Sequence, residues 1–146
     1  MIPLTLNQIN KLFVSRGVLI DILKMRGYDV DNYADFSFQE FITQYNNEQL
    51  DMLVEKKAND GEEKQDNNTL PKIYVKYHLG SKLTNKTIFR YEEDLFDNDE
   101  ILNKKTDELI VIANQNPNKT IQFTKDTLFD TQKKLINVLH FNSLQT

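Results

Sequence analysis

Apolar residues return at Ile9, Leu12, Phe13, Ile20 and Leu23, close to a 3.6-residue period, and predict a long first helix from Thr5 to Arg26. Thr5 with Gln8 three positions on is a capping-box pattern, and Gly27 stands where a left-handed residue would end the helix. Gly17 sits mid-helix, at a cost of about 1 kcal/mol relative to Ala, and reads either as a close approach to a neighbour or as a tolerated weak spot. Ser37 with Glu40 repeats the capping box, and Phe38, Phe41, Ile42 and Tyr45 then share one face, so a second helix is expected up to Asn46-Asn47.

The period changes beyond that point. Leu50 to Lys57 reads as a first strand. Ala58 to Thr69 has no large apolar side chain to bury and reads as a flexible loop extending to Leu70. Lys72 to Leu79 alternates, with Ile73, Val75 and Tyr77 on one face and Lys72, Tyr74, Lys76 and His78 on the other, the pattern of a half-buried strand. A helix over Thr84 to Phe96 follows, broken at Asp97-Asn98-Asp99, with Ile101 and Leu102 as one further turn. Leu109-Ile110-Val111-Ile112-Ala113, within 107–114, is a near-continuous apolar run and predicts a strand covered on both faces. Strand, helix and buried strand make a βαβ unit, expected to be parallel. Asn114 to Asn118 is a proline turn, followed by a predicted helix over Thr124 to Leu135 and a strand from Ile136 to Phe141 that could run on to the end. The expected fold is α/β: a mixed sheet of about four strands flanked by three to four helices, in a single domain over 1–146.

Composition narrows the chemistry. The chain has 146 residues, enough to bury ~70% of its unfolded surface without staples. It has no cysteine, which excludes disulfides, thiol catalysis and Cys-ligated metals. No apolar run approaches the ~18 residues a membrane helix needs, and the N-terminus lacks the basic and apolar regions of a signal peptide. No membrane partner and no secretion are therefore expected. The net charge of −4 gives no bulk attraction to nucleic acid, so any such contact must be local. Lysine and asparagine together supply 31 residues, a bias that points to an A/T-rich genome.

Candidate active-site chemistry is sparse. His78 and His140 lack metal-ligand spacing and read as one surface and one strand-end histidine. There is no Gly-rich phosphate loop and no nucleophile elbow. Glu55-Lys56-Lys57 at a strand end, with Asp51 or Asp35 upstream, could form a metal-dependent nuclease centre, in which two carboxylates hold Mg²⁺ and a lysine stabilises developing charge. Asp51 lies on the same strand and Asp35 in a loop, so a charged strand end is the plainer reading. Lys72, Lys76, Lys82 and Lys86 flank the Gly80 turn, and Lys119 and Lys125 flank the Pro117 turn, which allows a modest footprint on a duplex backbone. Placed at opposite strand ends, the two turns would lie on different rims.

Several segments, taken in order, resemble one family. Ser15 to Val30, with Arg26-Gly27-Tyr28, resembles the opening helix of the N-terminal jaw domain in the fifth subunit shared by eukaryotic-type DNA-dependent RNA polymerases. Phe38-Gln39-Glu40-Phe41 with Tyr45 resembles that domain's second helix, and Lys72 to Tyr77 its second strand. Leu83 to Thr87 matches in place, and Glu108 to Pro117 resembles its third strand and proline-bearing turn.

The resemblance implies a nuclease-like (restriction-endonuclease-like) jaw fold without nuclease activity, at the mouth of the cleft where downstream duplex DNA enters. It implies large polymerase subunits and downstream duplex as partners, with no catalytic residue, metal, cofactor or small-molecule substrate. By position it puts Gly80, Ser81 and Lys82 in one DNA-facing turn, and Asn116, Pro117, Asn118 and Lys119 in the other. Such contacts position DNA and carry no base information. The family's C-terminal assembly domain would begin just after Thr146 and is absent from this sequence. The expected location is the nucleus or, for a version from a large DNA virus, host cytoplasm or virion. A nuclease of the same fold and an unrelated protein-interaction domain are the alternatives.

Overall fold

A computed structural model describes residues 4–57, 70–96, 101–132 and 134–145, apart from the Thr131 side chain. The first helix, α1, spans Leu6–Met25, and the Thr5–Gln8 capping box forms as expected. It ends in a Schellman motif, in which the Gly27 and Tyr28 N–H groups donate to the Lys24 and Leu23 carbonyls, each at 3.0 Å. Gly27 has φ +90°, a conformation an L-residue adopts only under strain. The second helix, α2, spans Phe38–Asn46 behind the Ser37–Glu40 box. It closes through the same motif, but Glu48 holds the left-handed position at φ 56°.

The strands are β1 (Met52–Glu55), β2 (Lys72–His78), β3 (Glu108–Ala113) and β4 (Leu135–His140). Helices α3 (Asn85–Phe96) and α4 (Lys119–Gln132) connect β2 to β3 and β3 to β4. The sheet order is β1-β2-β3-β4, with β1 antiparallel to β2 and the other pairs parallel. The coarse expectation of a four-stranded mixed sheet with helices therefore holds.

Each face of the sheet has its own apolar layer. Met52, Val54, Ile73, Val75, Ile110 and Ile112 pack with Leu12, Leu19, Leu23 and Phe41 of α1 and α2. Leu109, Val111, Ile136 and Val138 pack with Ile88, Leu95, Ile121 and Leu128 of α3 and α4. All six residues of β3 are buried, because helices cover both of its faces.

Four expectations are corrected. Strand β1 is shorter than 50–57, because Leu50 and Asp51 turn into the sheet and Lys56 makes only an isolated bridge to Tyr28. Helix α4 starts at Lys119 and not at Thr124, because the Asn118 side chain accepts from the Ile121 N–H at 2.8 Å and caps the helix there. Ile101 and Leu102 add no helical turn; the Leu102 N–H donates to the Leu95 carbonyl at 2.8 Å and tucks a buried side chain into the core. The last strand stops at His140, and Phe141–Leu144 winds into a 3₁₀ turn that buries Phe141 and Leu144 against the α1 layer. The loop expected over 58–70 and the break at 97–99 fall, but for Leu70, outside the described residues.

Gly17 is exposed, and a Cβ there would meet nothing within 4 Å. It is a weak spot and not a close approach. Gly17→Ala should therefore stabilise the chain by about 1 kcal/mol, raising Tm by about 3 °C in a thermal melt. A lowered Tm would mean that the backbone at Gly17 packs against something after all.

Candidate functional site

Because β2, β3 and β4 are parallel, their C-terminal ends share one rim. The Cα register pairs His78 with Ala113 and Ala113 with His140, so the segments that follow these strands emerge side by side. The two candidate turns, 80–82 and 116–118, are thus neighbours on that rim and not on different ones. A hydrogen bond joins them directly: the Leu83 N–H donates to Gln115 Oε1 at 3.0 Å. Ser81, Lys82, Asn116, Asn118 and Lys119 are exposed, whereas Gly80 and Pro117 are half-buried. Helices α3 and α4 begin from the same rim, so their partly positive N-terminal ends face the same way as Lys82 and Lys119. Asn118 is held as the α4 cap, and Lys119 follows it as an exposed cation in the helix's first turn.

Beside the first turn opens a concave pocket of about 490 Å³, with Tyr45, Asp51, Lys76, His78, Ser81 and Tyr91 among its walls. Antiparallel pairing explains why Asp51 reaches it: Met52 sits opposite Val75, so the residue before β1 lies beside the far half of β2. Asp51 Oδ2 accepts from Lys76 Nζ at 2.9 Å and from the Tyr74 hydroxyl at 3.1 Å, and Oδ1 accepts from the Tyr77 N–H at 2.9 Å. Burial and the Asp51 charge push the Tyr74 hydroxyl up to about 12, so it stays a donor. The Lys76 ammonium also lies 5.2 Å from the centre of the Tyr91 ring.

The polar face of β2 is half-buried: Tyr74, Lys76 and His78 are knitted into this network with Asp51 and Tyr91 of α3, while Lys72 faces Asp107 at the other end of the strand. His78 is accordingly not a free surface histidine. Its Nδ1 lies 2.5 Å from the Tyr91 hydroxyl and its Nε2 3.1 Å from Ser81 Oγ. Burial lowers its pKa, with the Arg90 and Lys76 charges acting the same way and backbone hydrogen bonding at Lys82 partly offsetting them. His140 is lowered too, by burial and then by Lys11.

A histidine whose folded pKa lies below its unfolded value near 6.5 stabilises the fold above that value. That stability is lost as pH falls through 6.5 towards the folded value, because the unfolded chain then takes up protons first. Urea midpoints should drop between pH 7.5 and pH 5.5, and His78→Asn should flatten the dependence. A flat wild-type profile would refute the assignment.

The opposite rim holds Glu55-Lys56-Lys57, where Glu55 aligns with Lys72. Glu55 and Asp51 are four residues apart along an extended strand, about 13 Å. The Lys56 and Lys57 N–H groups donate to the Pro71 and Gly27 carbonyls, each at 2.8 Å, so this tripeptide splices the strand to the end of α1. Asp35 sits exposed in the linker before α2 with φ 64°. The three carboxylates considered for a nuclease centre are thus not brought together. Among the described residues no group of three or more His, Asp and Glu could hold a metal ion.

Sequence reasoning missed Gln115 as the bridge and Tyr91 as the partner of His78. Both contacts depend on register across the sheet, which no local pattern encodes. Among the described residues no helix is long and apolar enough to cross a membrane. Compared with protein-family models and with curated protein sequences, the chain matches none.

Proposed function

We propose that the chain is a non-catalytic domain of a DNA-dependent RNA polymerase, the fifth-subunit jaw, where it helps to position downstream duplex DNA. The nuclease-like jaw fold belongs to this proposal. One observation supports it above the others: the two turns that the family resemblance singles out share one rim and are hydrogen-bonded to each other through Leu83 and Gln115. A duplex lying along that rim would meet Lys82, Lys119, the Ser81 hydroxyl and two helix N-termini, all suited to phosphate oxygens and none aimed at reading bases. A net charge of −4 fits a surface that contributes a few contacts while large subunits neutralise most of the DNA charge. On this reading the protein works in the nucleus, or in host cytoplasm and virion if viral.

Affinity purification of the tagged chain from its source cells tests the proposal. The large polymerase subunits should co-purify in stoichiometric amount, while the isolated chain should bind a 30-bp duplex weakly or not at all. Recovery without polymerase subunits, or tight sequence-specific binding by the isolated chain, would refute it.

A further inference from the structure

We infer that His78 and Gln115 are positioning residues which fasten the two rim turns to each other and to α3, so that a duplex meets one rigid edge. The inference rests on the jaw reading above and adds to it how the edge is held. Leu83 is 1% exposed, so its N–H needs a protein partner, and Gln115 Oε1 supplies one across 32 residues of sequence. On the other side, His78 ties the turn to α3 through both ring nitrogens, Nε2 to Ser81 and Nδ1 to Tyr91. Both partners are hydroxyls, and a hydroxyl can donate or accept. Either neutral tautomer of His78 is therefore satisfied on both sides. The edge-to-face contact of the His78 and Tyr91 rings, 5.8 Å between centroids, fixes the plane in which those bonds point.

Rigidity matters here because few charges are available. Ordering a loose residue costs about 1–2 kcal/mol, comparable to what one exposed phosphate contact returns, so two floppy turns would gain little from binding DNA. Turns already locked at the right spacing avoid that cost.

The experiment has two readouts. Amide exchange by NMR on the 146-residue chain reports the lock. Gln115→Met keeps length but removes the acceptor, and Leu83 N–H exchange should rise about tenfold or more, in keeping with loss of one hydrogen bond. Gln115→Glu keeps an acceptor oxygen and should stay near wild type. His78→Phe keeps the ring and should speed exchange at Ser81 and Lys82. Unchanged exchange in both Gln115→Met and His78→Phe overturns the inference whatever the protein's partners.

The second readout is cross-linking from a photoreactive residue at exposed position 116 to downstream duplex in polymerase purified with the variant chain. The yield should fall several-fold with Gln115→Met and hold with Asn114→Met. Cross-linking that is strong in wild type and equal in Gln115→Met overturns the positioning role while leaving the jaw reading intact. No wild-type cross-link overturns the jaw reading and this inference with it.

Discussion

Asp107→Ala should cost roughly 3 kcal/mol of stability, seen as a Tm lower by about 10 °C with an unchanged denaturant m-value. Asp107 is 3% exposed and stands at the entrance to β3. Its Oδ1 accepts from the Lys72 N–H at 2.8 Å and from the Thr106 hydroxyl at 3.0 Å, and its Oδ2 accepts from the Asn103 N–H at 2.7 Å. One carboxylate therefore satisfies the first backbone donor of β2 and ties the connection from α3 to the start of β3. Truncation removes all three acceptor contacts, leaving two partly buried backbone donors without partners at about 1–3 kcal/mol each. The Lys72 ammonium, 4.0 Å from Oδ2, contributes little beside this. Asp107→Asn keeps one acceptor oxygen and should cost about half as much. A loss below about 1 kcal/mol for Asp107→Ala would show that water replaces the carboxylate at this strand end.

The elements easiest to read in the sequence were those whose causes are local. Thr5–Gln8 and Ser37–Glu40 each fix a helix start within four residues, and Gly27 fixes an end through its own backbone freedom. The β3 run was legible because a strand covered on both faces needs no alternation. Helix α4 was misplaced for an equally physical reason. Thr120, Thr124 and Thr127 are weak helix formers, and the apolar residues before Thr124, Ile121 and Phe123, stand two apart and not at helical spacing, so the Asn118 cap decides where it begins.

The site was harder to read than the fold. Lys82 and Lys119 were legible as exposed charge next to turn residues. That both turns occupy one rim follows from the single parallel pairing of β2 with β3, a consequence of the βαβ reading that is fixed once those two strands are in register. The same dependence explains β2. Tyr74, Lys76 and His78 alternate with apolar residues as a solvent-facing set would, yet Tyr91 of α3 meets Lys76 and His78, and Asp51, just before the edge strand, pairs with Lys76 and Tyr74. Alternation reports which side chains differ in polarity, not which face is wet.

Reversing the two rim lysines gives the largest functional effect expected. In polymerase assembled with Lys82→Glu and Lys119→Glu together, affinity for downstream duplex should fall by roughly tenfold to a hundredfold at moderate salt, and the salt dependence should become shallower by about 2. Each lysine that neutralises a phosphate releases about one counterion on binding, and each glutamate adds repulsion in its place. The control is charge-matched. Lys56→Glu with Lys57→Glu changes the net charge equally, but those exposed lysines sit beside Glu55, at the other end of the strand from Asp51. Screening over a Debye length of about 10 Å should leave that pair nearly without effect. Equal weakening by both pairs would mean that the protein's total charge, and not the edge built by the Gly80–Lys82 and Asn116–Lys119 segments, is what the duplex senses.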